Sequence, residues 1–291
     1  MPVSPLPTTW FSLALLLSML PACASPLSDG PAGARAVPGA LIQVETVPSS
    51  LIQSEDDRLV EARLGLYRLR LPLKYFRYQI EPGAGRRFEL AMWLPEYRPV
   101  LMDPPVGSAT QAAKLDIQVF LVEGVQSVDL LSLWMGQEPI GKSPDPLGGE
   151  HPRIRGEPVH GLSAFYVDTD LLVKQARARG EKNVSAETVA SGRHVDRYLG
   201  NAVTDLKVPT YIECTTRALD DGMHIVDGQL RRNATANSDL LAVCDHSFML
   251  DNTGIAVSMH YSRAYLSQWR EIEVHVSNQL RQAIVAGSLS P

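Results

Sequence analysis

Asp245 and His260 are the pair in this sequence whose types and spacing come nearest to chemistry. They sit on Leu241–Leu250 and Ile255–Tyr261, two segments flanking the turn-forming run Asp251-Asn-Thr-Gly254. If Asp251 stands opposite Gly254, His260 falls opposite Asp245, and a carboxylate beside an imidazole is a possible acid/base couple. The same placement also makes an ordinary solvated cross-strand pair, which is the reading the sequence favours. His246 falls on the apolar side of that register and reads as a hydrogen-bonded core residue rather than a ligand. No Gly-x-Ser-x-Gly elbow, His-Glu-x-x-His helix or phosphate-cradling loop occurs. Gly83-Ala-Gly85 runs into Arg-Arg-Phe and reads as a turn, and Asp220-Asp221 with Asp227 lacks the spacing of a calcium loop. The sequence therefore assigns no catalytic residue, no metal ligand and no cofactor.

The cysteines carry the other chemistry. Phe11–Leu20 is an apolar run of signal-peptide length, and Leu20-Pro21-Ala22-Cys23 resembles a bacterial lipobox. That resemblance implies that Cys23 takes a lipid and becomes the N-terminus. Ala24, which is not Asp, implies the periplasmic face of the outer membrane. An ordinary cleaved signal is the alternative. With Cys23 given to lipid, Cys214 and Cys244 remain as an even pair in an oxidising compartment, where a disulfide is favoured over two buried thiols. Closing that loop would stabilise the fold by about 3.6 kcal/mol on a chain-entropy argument. Two cysteines without paired histidines are too few ligands for zinc.

The chain has 291 residues, 45% hydrophobic, with a formal net charge of −5. That hydrophobic content argues against disorder, and a mildly acidic balance with scattered Lys and Arg argues against nucleic acid as a partner. The reading divides the chain into a signal peptide (1–22), a lipidated cysteine and flexible tether (23–52), a mainly-β domain (53–140), a Pro/Gly-rich linker or loop (141–161) and an α+β domain (162–291).

Within the first domain Tyr67, Leu69 and Leu71 alternate with Arg68 and Arg70; Phe88, Leu90, Met92 and Leu94 with Arg87, Glu89 and Ala91; Leu115, Ile117, Val119 and Leu121 with Asp116 and Gln118. Period-two runs between turn residues predict half-buried antiparallel strands. In the second, Leu162–Val173 fits strand or helix, Ser185–Leu199 carries helical spacing, and Tyr211–Thr215 is placed as a strand that brings Cys214 to Cys244. The hairpin puts Cys244, His246, Phe248 and Leu250 on one face with Ile255, Val257, Met259 and Tyr261, and Asp245, Ser247, Ser258 and His260 on the other. Ser267 is a plausible N-cap for a helix whose stripe is Trp269, Ile272, Val276, Leu280 and Ile284, ending at Gly287. The expected fold class is α+β: antiparallel strands covered by a terminal helix. Arg68, Arg70, Lys74 and Arg77 form a basic strip that could meet an acidic partner or lipid headgroups, and reads more simply as a solvated strand face.

The strand Gly65-Leu-Tyr-Arg-Leu-Arg-Leu-Pro72, the Cys214 strand, Cys244-Asp-His-Ser-Phe248 and the helix opening Leu266-Ser-Gln-Trp-Arg-Glu-Ile272 together resemble the immunity lipoproteins that accompany type VI secretion lipase effectors. The resemblance implies a non-enzymatic periplasmic protein, tethered by its N-terminal lipid, that binds and inhibits a cognate phospholipase toxin. No interface residue carries over, and the partner-binding surface stays unassigned; Gly136–Gly161 and Arg217–Asn237 are candidate contact loops. The alternatives are an envelope structural or assembly lipoprotein, and a periplasmic enzyme with an unrecognised site.

Overall fold

The computed structural model describes residues 41–43, 57–79, 82, 84–105, 109–122, 153–185, 195–200, 209–233, 241–250 and 253–285. The chain divides into two compact units, Met1–Ala36 and Val37–Pro291, and all described residues belong to the second. The signal peptide, Cys23, most of the tether, residues 141–152 of the expected linker and Gly287 lie outside them.

The strands in chain order are β1 Leu41–Gln43, β2 Leu59–Leu64, β3 Tyr67–Pro72, β4 Ala84–Gly85, β5 Arg87–Trp93, β6 Arg98–Pro99, β7 Lys114–Leu121 and β8 Arg153–Arg155. They continue as β9 Ser163–Val167, β10 Val195–Gly200, β11 Thr210–Thr215, β12 Met223–Val226, β13 Gln229–Asn233, β14 Val243–Leu250 and β15 Ile255–Ser262. Two α-helices accompany them, α1 Thr169–Ala178 and α2 Trp269–Ala283. The body is α+β, as expected. Its centre is a nine-stranded antiparallel sheet in the order β6-β5-β7-β15-β14-β11-β10-β9-β8. Two three-stranded sheets flank it, β3-β2-β4 and β1-β13-β12.

The central sheet joins the two parts that the sequence reading separates. β7, from the first part, pairs with β15, from the second, with Ile117 opposite Met259 and Val119 opposite Val257. All four side chains are fully buried, so matched apolar stripes select this register. One continuous core then runs from Val60 to Ala283. Residues 53–140 and 162–291 are therefore not separate sheets around separate cores.

The β14–β15 hairpin has the expected register, Leu250 opposite Ile255 and Asp245 opposite His260. Its inner face, Cys244 through Tyr261, is buried under α2, whose Trp269, Ile272, Val276 and Leu280 are buried in turn. The helix start differs from expectation. Gln268, not Ser267, is its N-cap, because the chain first makes a 3-10 turn over Arg263–Gln268 that Ser262 caps by accepting from the Ala264 amide. Ile284 leaves the helix and bridges Leu69 in β3.

Three further expectations are corrected. Val195–Gly200 is strand, not helix; Asp196 and Tyr198 on one face and Arg197 on the other are all buried, so a centrally placed strand hides its period of two. Leu41–Gln43, inside the expected tether, pairs with β13. Of the expected contact loops, Arg153–Arg155 forms edge strand β8 and Met223–Asn233 forms the β12–β13 hairpin, turning through Asp227-Gly228 with φ of 51° and 74°, the positive pair that a tight two-residue turn requires. Leu162–Val173, ambiguous in sequence, is β9 followed by α1, which Asp168 caps through the Leu171 amide at 2.9 Å.

Candidate functional site

The outer face of the central sheet is polar where β5, β7, β15 and β14 meet. Cross-strand register brings Ala91, Asp116, His260 and Asp245 into one row and Glu89, Gln118, Ser258 and Ser247 into the next. A cleft of about 490 Å³ opens over them, lined also by Arg77, Asp103 and Lys114. Lys114 is almost wholly buried there, joined to Asp103 and, at 2.9 Å, to Asp116. Arg77 bonds Glu89 at 3.2 Å. The cleft is thus a set of short ion pairs laid across four strands.

The expected Asp245–His260 couple is formed: His260 Nδ1 lies 2.8 Å from Asp245 Oδ1. Bonding to Asp245 holds the imidazole above its ordinary value, against the opposing effect of desolvation. Both side chains are exposed. Ser258, the serine beside His260 in the cleft, is two residues away on the same strand, a spacing of about 7 Å. A nucleophile and its base need about 3 Å, and Ser258 instead meets Ser247 at 3.5 Å. The geometry is that of a cross-strand pair on a solvated face.

His246, one residue on, points the other way. Its Nδ1 is 3.1 Å from the Tyr261 hydroxyl and its Nε2 is 3.0 Å from Glu273 of α2, which also accepts from Thr210 at 2.8 Å. All of these residues are buried, and burial pushes the Tyr261 phenol up, out of reach of physiological titration. His246 is the hydrogen-bonded core residue the sequence predicts. Its partner Glu273 was not foreseen, because a single Glu within a helix looks like a solvent-facing residue. Among the described residues no group of three or more His, Cys, Asp and Glu is placed to hold a metal.

Cys214 and Cys244 face one another on β11 and β14 and are joined, with an S–S distance of 2.03 Å. Around the far end of the sheet, buried Asp196 accepts from the Arg217 amide at 2.6 Å, and desolvation raises its carboxyl above the usual range. The Arg217 guanidinium lies over the Tyr166 ring at 3.5 Å. These are framework contacts that tie β10 to the segment after β11.

The basic strip breaks into three. Lys74 pairs with Asp57 at 2.5 Å, Arg77 enters the cleft, and Arg68 and Arg70 stand on β3 opposite Arg63 and Glu61 of β2. Arg63 was missed by the sequence reading; its place in the pattern emerges only once β2 is aligned with β3.

No protein-family model matches the chain, and no curated protein matches it in sequence. Among solved structures, the chain is similar to Smlt3025, an immunity protein of the Stenotrophomonas maltophilia type IV secretion system, with a TM-score of 0.57 and 22% identity over 79% of this chain and 94% of that one. A looser likeness, TM-score 0.38 at 9% identity over the same shares, is to the Neisseria meningitidis iron-regulated outer membrane lipoprotein FrpD. The first likeness establishes that this arrangement of sheet and terminal helix is shared with a solved protein.

Proposed function

We propose that this chain is an immunity protein: it binds a toxin delivered by a secretion system and neutralises it without turning over a substrate. The observation that carries the reading is the fold likeness to a secretion-system immunity protein over 94% of that protein's length. Agreement over that length covers the whole framework rather than one common supersecondary unit. The outer-face cleft supports it in a second way, since its polar groups are engaged with one another in ion pairs rather than arranged as nucleophile and base.

The finer reading is a phospholipase toxin, delivered by a type VI system and met at the periplasmic face of the outer membrane, where lipidated Cys23 holds the inhibitor. The toxin class and delivery system rest on the resemblance carried by Gly65–Pro72, the Cys214 strand, Cys244–Phe248 and Leu266–Ile272, and the anchor rests on Leu20-Pro-Ala-Cys23 with Ala24 after it. Tethering raises the effective concentration of inhibitor at the surface a phospholipase attacks. The delivery system of the structural neighbour is type IV, so the secretion type is open to assignment by gene neighbourhood. The test is co-expression: a lipase-like gene adjacent to this one, exported to the periplasm of a host cell, should kill alone and be tolerated with this chain. Equal death in both cultures would sink the immunity reading.

A further inference from the structure

We propose that the outer face of the β2–β3 hairpin is a membrane-docking surface for anionic phospholipid headgroups; the proposal deepens the immunity reading and rests on its placement of the protein at a bilayer.

The hairpin turns through Gly65-Leu66, and its strands pair Glu61 with Arg70 and Arg63 with Arg68. Val60, Ala62, Leu64, Leu69 and Leu71 point into the core, which leaves Arg63, Arg68 and Arg70 together on the outer face. A single carboxylate, Glu61, lies among the three guanidiniums. It bonds Arg63 at 3.0 Å and is 3.8 Å and 4.0 Å from Arg70 and Arg68. The face therefore carries an excess of two positive charges. Glu61 offsets one of the three like charges that the register sets side by side, and the remaining excess attracts an anionic surface.

The apolar element is equally specific. Leu66 at the turn is 65% exposed, the highest value among the exposed large hydrophobic side chains of the described residues. An aliphatic tip flanked by guanidiniums is the pattern of an interfacial contact, in which the tip enters the acyl boundary while the cations meet headgroup phosphates. A flat acidic protein surface would satisfy the arginines but leave Leu66 in water. In the immunity reading the lipid on Cys23 holds the chain at the bilayer, and a basic patch with an aliphatic tip adds a second, orienting contact. This hairpin supplies that contact.

The experiment is partitioning of the full chain carrying Cys23→Ser onto vesicles of phosphatidylcholine alone or with about one-third phosphatidylglycerol. The apolar leader contributes alike to both, so the readout is their ratio. Anionic vesicles should bind about tenfold more tightly at low salt, with the advantage lost near about 0.5 M salt. Replacing Arg63, Arg68 and Arg70 with Gln should abolish the preference, Leu66→Ser should weaken it, and Glu61→Gln should strengthen it. The gain with Glu61→Gln keeps the test decisive if the triple variant fails to fold. Equal partitioning onto both vesicles, or a preference that survives the arginine replacements, would overturn the proposal; the first outcome would leave the patch to an acidic protein surface. No toxin enters the assay, so its failure leaves the immunity reading standing, and a failed co-expression test leaves the vesicle result standing.

Discussion

His246 of β14 and Glu273 of α2 meet at 3.0 Å in a site where neither side chain is more than 1% exposed. A carboxylate accepts, so Nε2 carries the hydrogen and Nδ1 faces the Tyr261 hydroxyl. This chain from strand to helix is a polar link within a largely apolar interface.

Removing one partner of such a pair leaves the other buried and under-satisfied. His246→Leu is expected to lower unfolding stability by about 3–5 kcal/mol. The double variant with Glu273→Leu should lose less than His246→Leu alone, because no orphaned carboxylate remains. Urea unfolding of the three chains checks this; an unchanged midpoint for His246→Leu would show that the link does not hold the helix.

The Cys214–Cys244 bridge spans 30 positions. Its removal by Cys214→Ala with Cys244→Ala should cost about 3.6 kcal/mol through the freed unfolded chain. Alkylation with and without reductant should find both thiols only after reduction. Two thiols reactive in the native, unreduced protein would contradict the bridge.

Much of this was legible beforehand where one face meets core and the other water. The β14–β15 register, the facing of Asp245 and His260, and the buried stripe of α2 all follow from clean alternation or helical spacing. Val195–Gly200 was misread because neighbours cover both of its faces, which erases the alternation and leaves Val195, Tyr198 and Leu199 looking helical. The union of β7 with β15 was invisible for another reason. Strands from Lys114 and Ile255 match by register, and no local pattern says which distant strand a buried stripe will choose. The cleft inherits both limits: Asp245 and His260 came from one hairpin and were seen, while Arg77, Lys114 and Asp116 arrive from elsewhere and were not.

The Asp245–His260 pair should make stability weakly pH-dependent. Bonding raises the folded-state value of His260 above its unfolded value of 6.5. Its contribution is then fully present below about 6.5 and is lost as pH rises through the higher folded value. Both groups are exposed, so the effect is only about 0.2–1 kcal/mol. Asp245→Asn should remove that increment at pH 6 and change nothing at pH 9, and should bring the His260 ring resonances down toward an ordinary titration midpoint by NMR. A His260 midpoint indifferent to the substitution would refute the pairing.

Gly200 ends β10 beneath the start of α2. A Cβ placed there would come within 2.9 Å of Leu162 Cδ2, 3.0 Å of the Trp269 ring and 3.4 Å of Thr210 Cβ. Leu162, Thr210 and Trp269 are all fully or almost fully buried, and Trp269 is pinned further by its indole N–H donating to the His160 carbonyl at 2.9 Å. The rigid Trp269 ring is held by that bond, so the added methyl presses on the contact between strand and helix. Gly200→Ala is expected to cost about 1–3 kcal/mol, the range of overpacking in a dense core. Gly228→Ala is the contrast: its φ of 74° disfavours a side chain, yet nothing lies within 4 Å of the added atom. Its cost should be about 1 kcal/mol of backbone strain alone. The two also separate in kind. Gly200→Ala should shift the near-ultraviolet signal of Trp269, whereas Gly228→Ala should leave it unchanged; a Gly200→Ala protein with native stability and an unaltered Trp269 signal would mean that α2 does not seat on β10 in this way.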